Sequence, residues 1–315
     1  MNKKMNEEKV VLFETAVLLI AFNRLSTVNE VFNQIKIVKP KRLYIASDGP
    51  RKSIPGEHDI VDHIRTHLVK AVDWQCDVKT LFWDFNLGCK IAVSSAISWF
   101  FDHEEQGIIL EDDCVPSKSF FYYCEDLLNK YKFNTNISVI SGDGRATLNN
   151  KIDTSYDFIS YSLIWGWASW RRVWKKYDVS IKDWPKNKRQ VMKQLDNKPN
   201  VKLFWIYILN RIYRNKIDTW DYQLNYLLLK DKSLCIVPQN NLITNIGFGD
   251  DATHTFDQNS THSKLPRFEL DTPYIAPDEI KCNILLNEYM NENSFSILPL
   301  RERVINKLMK ILSFK

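Results

Sequence analysis

Apolar residues in the first half of this chain fall in short continuous runs, separated by stretches with helical spacing. Residues 17–22 (Val-Leu-Leu-Ile-Ala-Phe) read as a buried strand, and 43–47, 78–82, 107–110 and 137–140 read as further strands. Between the first two, Val28, Val31, Phe32 and Ile35 mark one helix face. Thr27 and Glu30 stand at capping-box spacing, and Pro40 ends the helix. Residues 57–69, 120–131 and an apolar stretch from Gly88 through Phe100 read as further helices. This alternation predicts an α/β fold: a mainly parallel sheet with helices on both faces. Beyond about residue 150 the pattern loosens. Helices are expected over 204–213 and 218–229 and a strand over 233–237. Trp165-Gly166-Trp167 reads as a loop or short strand, and 245–255 as a Gly/Asp-rich loop.

Parallel sheets bind ligands at the carboxyl ends of their strands. Four polar clusters are predicted at those ends: Asn23-Arg24, Asp48-Gly49, Gly88 to Lys90, and Glu111-Asp112-Asp113. The last carries the most chemistry. Three adjacent anions repel one another and resist burial, so a strand ending in them needs a positive partner. A divalent cation prefers carboxylate oxygens, and a metal held there can in turn hold a diphosphate. The plainer reading is a solvated acidic turn.

The chain has 315 residues and a net charge of +5, which hides an asymmetry. Residues 171–216 hold 14 Lys/Arg against 3 Asp, a local +11, leaving about −6 for the rest. Such a stretch suits an anionic acceptor, a phosphate-rich ligand or a membrane surface, or is a solvated helical face. No nucleic-acid reading motif accompanies it, so nucleic acid is not expected. Residues 301–315 carry five basic residues and one acid, with Val304, Ile305, Leu308, Ile311 and Leu312 on one helical face. That pattern suits either peripheral contact with an anionic membrane or docking on the protein's own core. The six cysteines form no CxxC pair and no zinc spacing, which suits a reducing compartment. The apolar run at 16–22 is short and preceded by Glu7, Glu8 and Glu14, unlike a signal peptide. No stretch approaches the roughly 20 apolar residues of a membrane span. A cytoplasmic protein is expected.

Taken in order, Phe22-Asn23-Arg24, Ser47-Asp48-Gly49, Glu111-Asp112-Asp113, Phe120 to Tyr123, Ile164 to Trp167, Trp220-Asp221 and Gly247 to His254 resemble the nucleotide-sugar glycosyltransferases of GT-A fold. Within these the chain is most similar to the N-acetylglucosaminyltransferase I type, over roughly residues 15–256. The resemblance implies a GT-A domain over 10–256. Its nucleotide-sugar half would span 10–150 and its acceptor half 151–256, with a C-terminal extension over 257–315. It implies Mn²⁺ or Mg²⁺, a nucleotide-sugar donor, a glycan or lipid-linked glycan acceptor, and a setting in surface polysaccharide synthesis.

Residue by residue, Asp113 matches the metal-binding aspartate. Asp112 and Glu111 match positions near the ribose and donor sugar, and Asn23, Arg24 and Asp48 lie around the nucleotide. Lys90 stands where a cation meets the diphosphate at a helix start. Asp221 is the candidate general base for an inverting transfer. The family's second acid is replaced by Tyr222, which leaves that correspondence open. His254, after Asp250 and Asp251, is a candidate metal ligand or phosphate donor. Trp165 and Trp167 are candidate walls for donor sugar or acceptor, with Gly166 admitting close approach. Each also has an ordinary use: a turn aspartate, a surface arginine, a helix-start aspartate, a core tryptophan. A sugar nucleotidyltransferase is the alternative, but it would want a Gly-rich loop after the first strand, and residues 22–26 contain no glycine. A non-catalytic binding protein of the same fold is a third reading.

Overall fold

A computed structural model describes residues 13–195, 198–248 and 265–297. At its centre is an eight-stranded, mostly parallel sheet flanked by helices, as the α/β reading expects. Its first half comes from β1 (Val17–Ala21), β2 (Arg42–Ser47), β3 (Asp77–Phe82) and β4 (Gln106–Glu111). They lie in the order β3-β2-β1-β4, all parallel. Each parallel step needs a return crossover, supplied by α1 (Leu25–Val38), α2 (Glu57–Lys70) and α3 (Cys89–His103). The α1 face Val28, Val31, Phe32 and Ile35 is buried with Val38, as its spacing predicts. The expected capping box does not form. Arg24 occupies the cap position, the helix starts at once with Leu25, and the Thr27 hydroxyl donates to the Arg24 carbonyl at 3.2 Å.

The second half is less regular. β5 (Cys114–Pro116) leaves the main sheet and pairs antiparallel with β10 (Ile243–Asn245). After α4 (Lys118–Lys130), the strands β6 (Ile137–Ser141), β7 (Tyr156–Ile159), β8 (Trp167–Trp170) and β9 (Leu234–Pro238) complete the sheet in the order β4-β8-β6-β9-β7. β8 runs against β4 and β6, and β7 against β9. The basic stretch becomes α5 (Arg171–Trp174), α6 (Trp184–Gln194) and α7 (Pro199–Tyr213), followed by α8 (Asp221–Asp231). Of the expected C-terminal extension, the described part packs on the sheet's far edge. Ser155 donates to the Ile275 carbonyl and Asn283 to the Phe158 carbonyl, each at 2.8 Å, before α9 (Ile284–Asn293). The pattern at 301–315 lies outside the described residues. Among the described residues no helix is long and apolar enough to cross a membrane.

Gly166 turns the chain into β8 at φ 58°, where a Cβ would lie 2.4 Å from Ile243 Cδ1. Gly166→Ala combines left-handed strain with overpacking and is expected to lose about 2–5 kcal/mol. A urea melt reads this as a lower midpoint; an unchanged midpoint would mean the turn relaxes without strain.

Candidate active site

Strand order reverses at β1 and β4. The chain runs from β1 to β2 on one side, while β4 lies on the other, so the loops after β1 and β4 diverge and leave a crevice. Two of the predicted clusters meet there. The Phe22 amide donates to Asp112 Oδ2 at 3.3 Å. One terminal nitrogen of Arg24 donates to Asp112 Oδ1 at 2.5 Å and to Asp113 Oδ2 at 2.8 Å. Arg24 is thus the chain's own positive partner for the triplet. Burial alone would lower its pKa, but the charges and hydrogen bonds of Asp112 and Asp113 outweigh that, and the net shift is upward.

One guanidinium does not neutralise the strand end. Burial pushes the Glu111 carboxyl well above the usual carboxylate range; repulsion from Asp113, Asp112 and Asp221 adds to this and Arg24 opposes it. Burial also pushes the Asp112 carboxyl up, to about 6, against the pull of Arg24.

Asp221 reaches this environment through the sheet. Ile109 of β4 pairs with Trp167 of β8, and the Trp167 ring stacks on Trp220 with centroids 5.8 Å apart and planes 22° apart. Asp221 is the next residue and the first of α8. The Thr219 hydroxyl donates to its carboxylate, and Tyr177 fixes the preceding Trp220 carbonyl with a 2.9 Å hydrogen bond. The Cys89 thiol is raised by burial and then by the charges of Glu111, Asp218, Asp221 and Asp48.

The β5–β10 pair closes the other side. Ile246 donates to the Asp113 carbonyl at 2.9 Å. The Gly247 backbone passes so near that a Cβ would lie 2.0 Å from Asp113 Oδ2. Phe248 then meets Trp165 edge-on at 5.7 Å, and the Arg145 guanidinium lies 3.7 Å over the Trp165 ring. Arg145 is itself held by Asp143, with Nε 2.7 Å from Oδ2.

The other expected residues take varied places. Trp165 is half-buried beside this rim, but Trp167 is 1% exposed and belongs to the core, so it forms no wall of a cleft. Gly166 likewise serves packing, because Ile243 and Leu110 fill the space its missing Cβ leaves. The Asp48 carboxylate accepts from Gly49 N, Leu87 N, Gly88 N and Asn86 Nδ2 at 2.8–3.2 Å. Its acceptor capacity is filled, and it clasps the loop that leads into α3. Asn23 donates to Glu57 at 2.8 Å; Glu57 is buried and also takes Arg51 through both oxygens. The Lys90 amide donates to Asp218 at 3.1 Å and its ammonium to Asn215, on the loop after α7. His254, Asp250 and Asp251 lie outside the described residues. Asp143, Arg145 and Glu57 were not anticipated. Gly142-Asp143-Gly144 at the end of β6 gave the same signal as Asp48-Gly49 and could have been read the same way.

The triplet's hard oxygen donors fit Mn²⁺ or Mg²⁺. Among the described residues, no three His, Cys, Asp or Glu side chains are grouped to hold a metal by themselves. Mg²⁺ commonly takes one or two carboxylates and completes its shell with substrate phosphate and water.

No protein-family model and no curated protein matches this chain. Among solved structures, it is similar to a UDP-glucose pyrophosphorylase complexed with UDP-glucose (7% identity, 72% of this chain and 90% of that one, TM-score 0.33). It is also similar to HddC from Yersinia pseudotuberculosis (9%, 52% and 80%, 0.32) and to the glycosyltransferase GlyE of Streptococcus pneumoniae TIGR4 (10%, 68% and 43%, 0.32). Scores this low carry no conclusion about activity.

Removing the one guanidinium gives a test with a sign. Arg24→Gln leaves buried Asp112 and partly exposed Asp113 without their cation, an expected loss of about 3 kcal/mol near pH 8. A raised carboxyl pKa means the folded protein holds that proton more tightly than the unfolded chain does. Stability is therefore gained as pH falls through the folded value, here through about 6 for Asp112. The variant's deficit should shrink on going from about pH 8 to about pH 5, read from denaturant melts. An equal deficit at both would mean Arg24 stabilises by packing rather than by charge.

Proposed function

We propose that this protein is a metal-dependent glycosyltransferase that moves a sugar from a nucleotide diphosphate-sugar, a UDP-sugar in the first instance, to a glycan acceptor with inversion. One observation carries the reading. At the reversal of strand order, three adjacent carboxylates end β4, with Asp112 buried and Glu111 and Asp113 partly so, and the charge of a further carboxylate, Asp221 at the start of α8, adds to the upward shift of Glu111. The surplus of anionic oxygen suits a divalent cation, and a separate carboxylate suits proton abstraction.

In this proposal Asp113, with Asp112 beside it, would hold Mn²⁺ or Mg²⁺. Bound there, the metal would neutralise charge on the departing diphosphate. The chain's own residues do the rest. Asp221 takes the proton of the acceptor hydroxyl as that oxygen bonds to the anomeric carbon. The bond from the anomeric carbon to phosphate breaks, and the electron pair leaves with the nucleoside diphosphate. Glu111 faces positive charge developing on the sugar ring, as carboxylates do in glycosidic bond cleavage. Asn23, Arg24 and the Asp48-clasped loop shape the nucleotide side, and Trp165 lies on the rim for the sugar or acceptor. The absence of glycine across residues 22–26 counts against a nucleotidyltransferase, whose triphosphate substrate calls for a backbone cradle.

Calorimetric titration with UDP, with and without Mn²⁺, tests the donor site. Wild type should bind only with metal and Asp113→Asn should not bind; metal-independent binding unchanged by the substitution would remove Asp113 from the role. Asp221→Asn should keep UDP binding but release UDP from a panel of UDP-sugars about 100-fold more slowly or worse. A full rate in this variant would send the base elsewhere.

A further inference from the structure

The outer face of α7 has no use in the chemistry above. Val201, Trp205, Leu209 and Ile212 form its buried side. Opposite them, Leu203, Tyr207, Arg211 and Arg214 fall on one line at i, i+4, i+8 and i+11. Leu203 is 53% and Tyr207 52% exposed, and Tyr213 beside the line is 46% exposed. Arg211 donates to the Tyr207 hydroxyl at 2.9 Å, which ties the apolar half of the line to the basic half. The Trp184 indole of α6 donates to Asn210 of α7 at 3.0 Å. That contact sets the first turn of α6, with exposed Lys182, Lys186 and Arg189 around it, beside the last turn of α7 with exposed Arg211, Arg214 and Lys216. The whole stretch 171–216 carries 14 Lys/Arg against 3 Asp.

The same end of α7 adjoins the candidate active site. Asn215 meets Lys90, Asp218 accepts from the Lys90 amide, and Asp221 opens the following helix.

We propose that this face docks on an anionic lipid surface. Exposed Tyr and Leu with flanking Arg and Lys are the side chains that settle at a bilayer interface, where rings sit at headgroup level and cations reach anionic phosphate. The charge excludes a neutral apolar partner, and the single apolar line is too narrow to span a membrane. On the reading of the site as a glycosyltransferase, docking here presents the donor end of the enzyme to an acceptor carried on lipid. The sugar acceptor then belongs to the class of lipid-linked glycans rather than free oligosaccharides.

The test is co-sedimentation of the full chain with vesicles, without nucleotide. Binding is expected to phosphatidylcholine vesicles containing about one-third phosphatidylglycerol, and not to phosphatidylcholine alone. Each basic residue near such a surface is worth about fivefold in partitioning. Arg211→Gln/Arg214→Gln/Lys216→Gln should therefore lower binding about 100-fold. Leu203→Ser/Tyr207→Ser should lower it about tenfold or more. Both variants should melt as wild type does and keep UDP binding in solution. Equal binding to neutral vesicles, undiminished binding by both variants, or binding lost only in Arg301→Gln/Arg303→Gln/Lys307→Gln/Lys310→Gln would overturn the proposal. Loss of UDP binding by wild type would sink the reading of the site and leave the vesicle result standing.

Discussion

Glu111, Asp112 and Asp113 repel one another, and burial at the end of β4 makes the repulsion worse because little water is left to screen it. Among the described residues a single cation, Arg24, answers it. Arg24 projects from the first residue past the β1 loop and touches both Asp112 and Asp113. That contact ties the neighbouring strands β1 and β4 together at their carboxyl ends. It also leaves a surplus. Glu111 still faces three other carboxylates with only Arg24 opposing them. A structure selected for stability alone would sooner have placed apolar or paired residues here, since isolated buried charge is costly.

The antiparallel strand β8 decides what joins that surplus. Inserted between β4 and β6, it carries Trp167 into the core directly against the Trp220 ring. The indole stack then sets Asp221 at the start of α8, at a fixed distance from the sheet rather than on a free loop. Gly166 and Gly247 permit the closeness. The first lets Ile243 and Leu110 pack where its side chain would be, and the second lets the β10 exit pass over Asp113. Packing in the core and geometry at the crevice are therefore the same problem here, solved by the same few residues.

How far this was legible in the sequence depends on the length of the signal. β1, β2, β4 and α1 could be read because each carries a continuous apolar run or a full helical face, and β3 by its place in the alternation. β5, β7, β8 and β10 are three or four residues long, too short to show a period; β8 read at its start as a loop or short strand, and the others went unread or read as loop. α6 buries only Trp184 and Val191, so its helix left no apolar stripe. At the site, the need for a positive partner to the triplet was visible from charge alone, but Arg24 as that partner was not. The pairing spans strands that only the sheet topology makes neighbours. Trp167 looked like a sugar platform because its type suits one; its burial follows from β8, which the sequence did not reveal. His254 and the 301–315 pattern fall outside the described residues and stay as expectations.

Asp48 and the triplet show how carboxylates at neighbouring strand ends come to differ in kind. Asp48 accepts three backbone amides and the Asn86 side-chain amide, so taking a ligand would mean giving up a bond the loop depends on. Burial raises its pKa, but those amides pull the other way and stabilise the charged form. Glu111 is raised by burial and by its anionic neighbours, and the only opposing group among its main influences is Arg24. The first carboxylate is satisfied by the loop it clasps; for the second, Arg24 is the opposing charge among the described residues. A divalent cation gains most where anionic charge is in surplus, and it gains little where hydrogen bonds already fill every lone pair. On that physical ground the proposed metal would sit at the β4 end, with Asp113, while Asp48 belongs to the scaffold that holds the loop into α3.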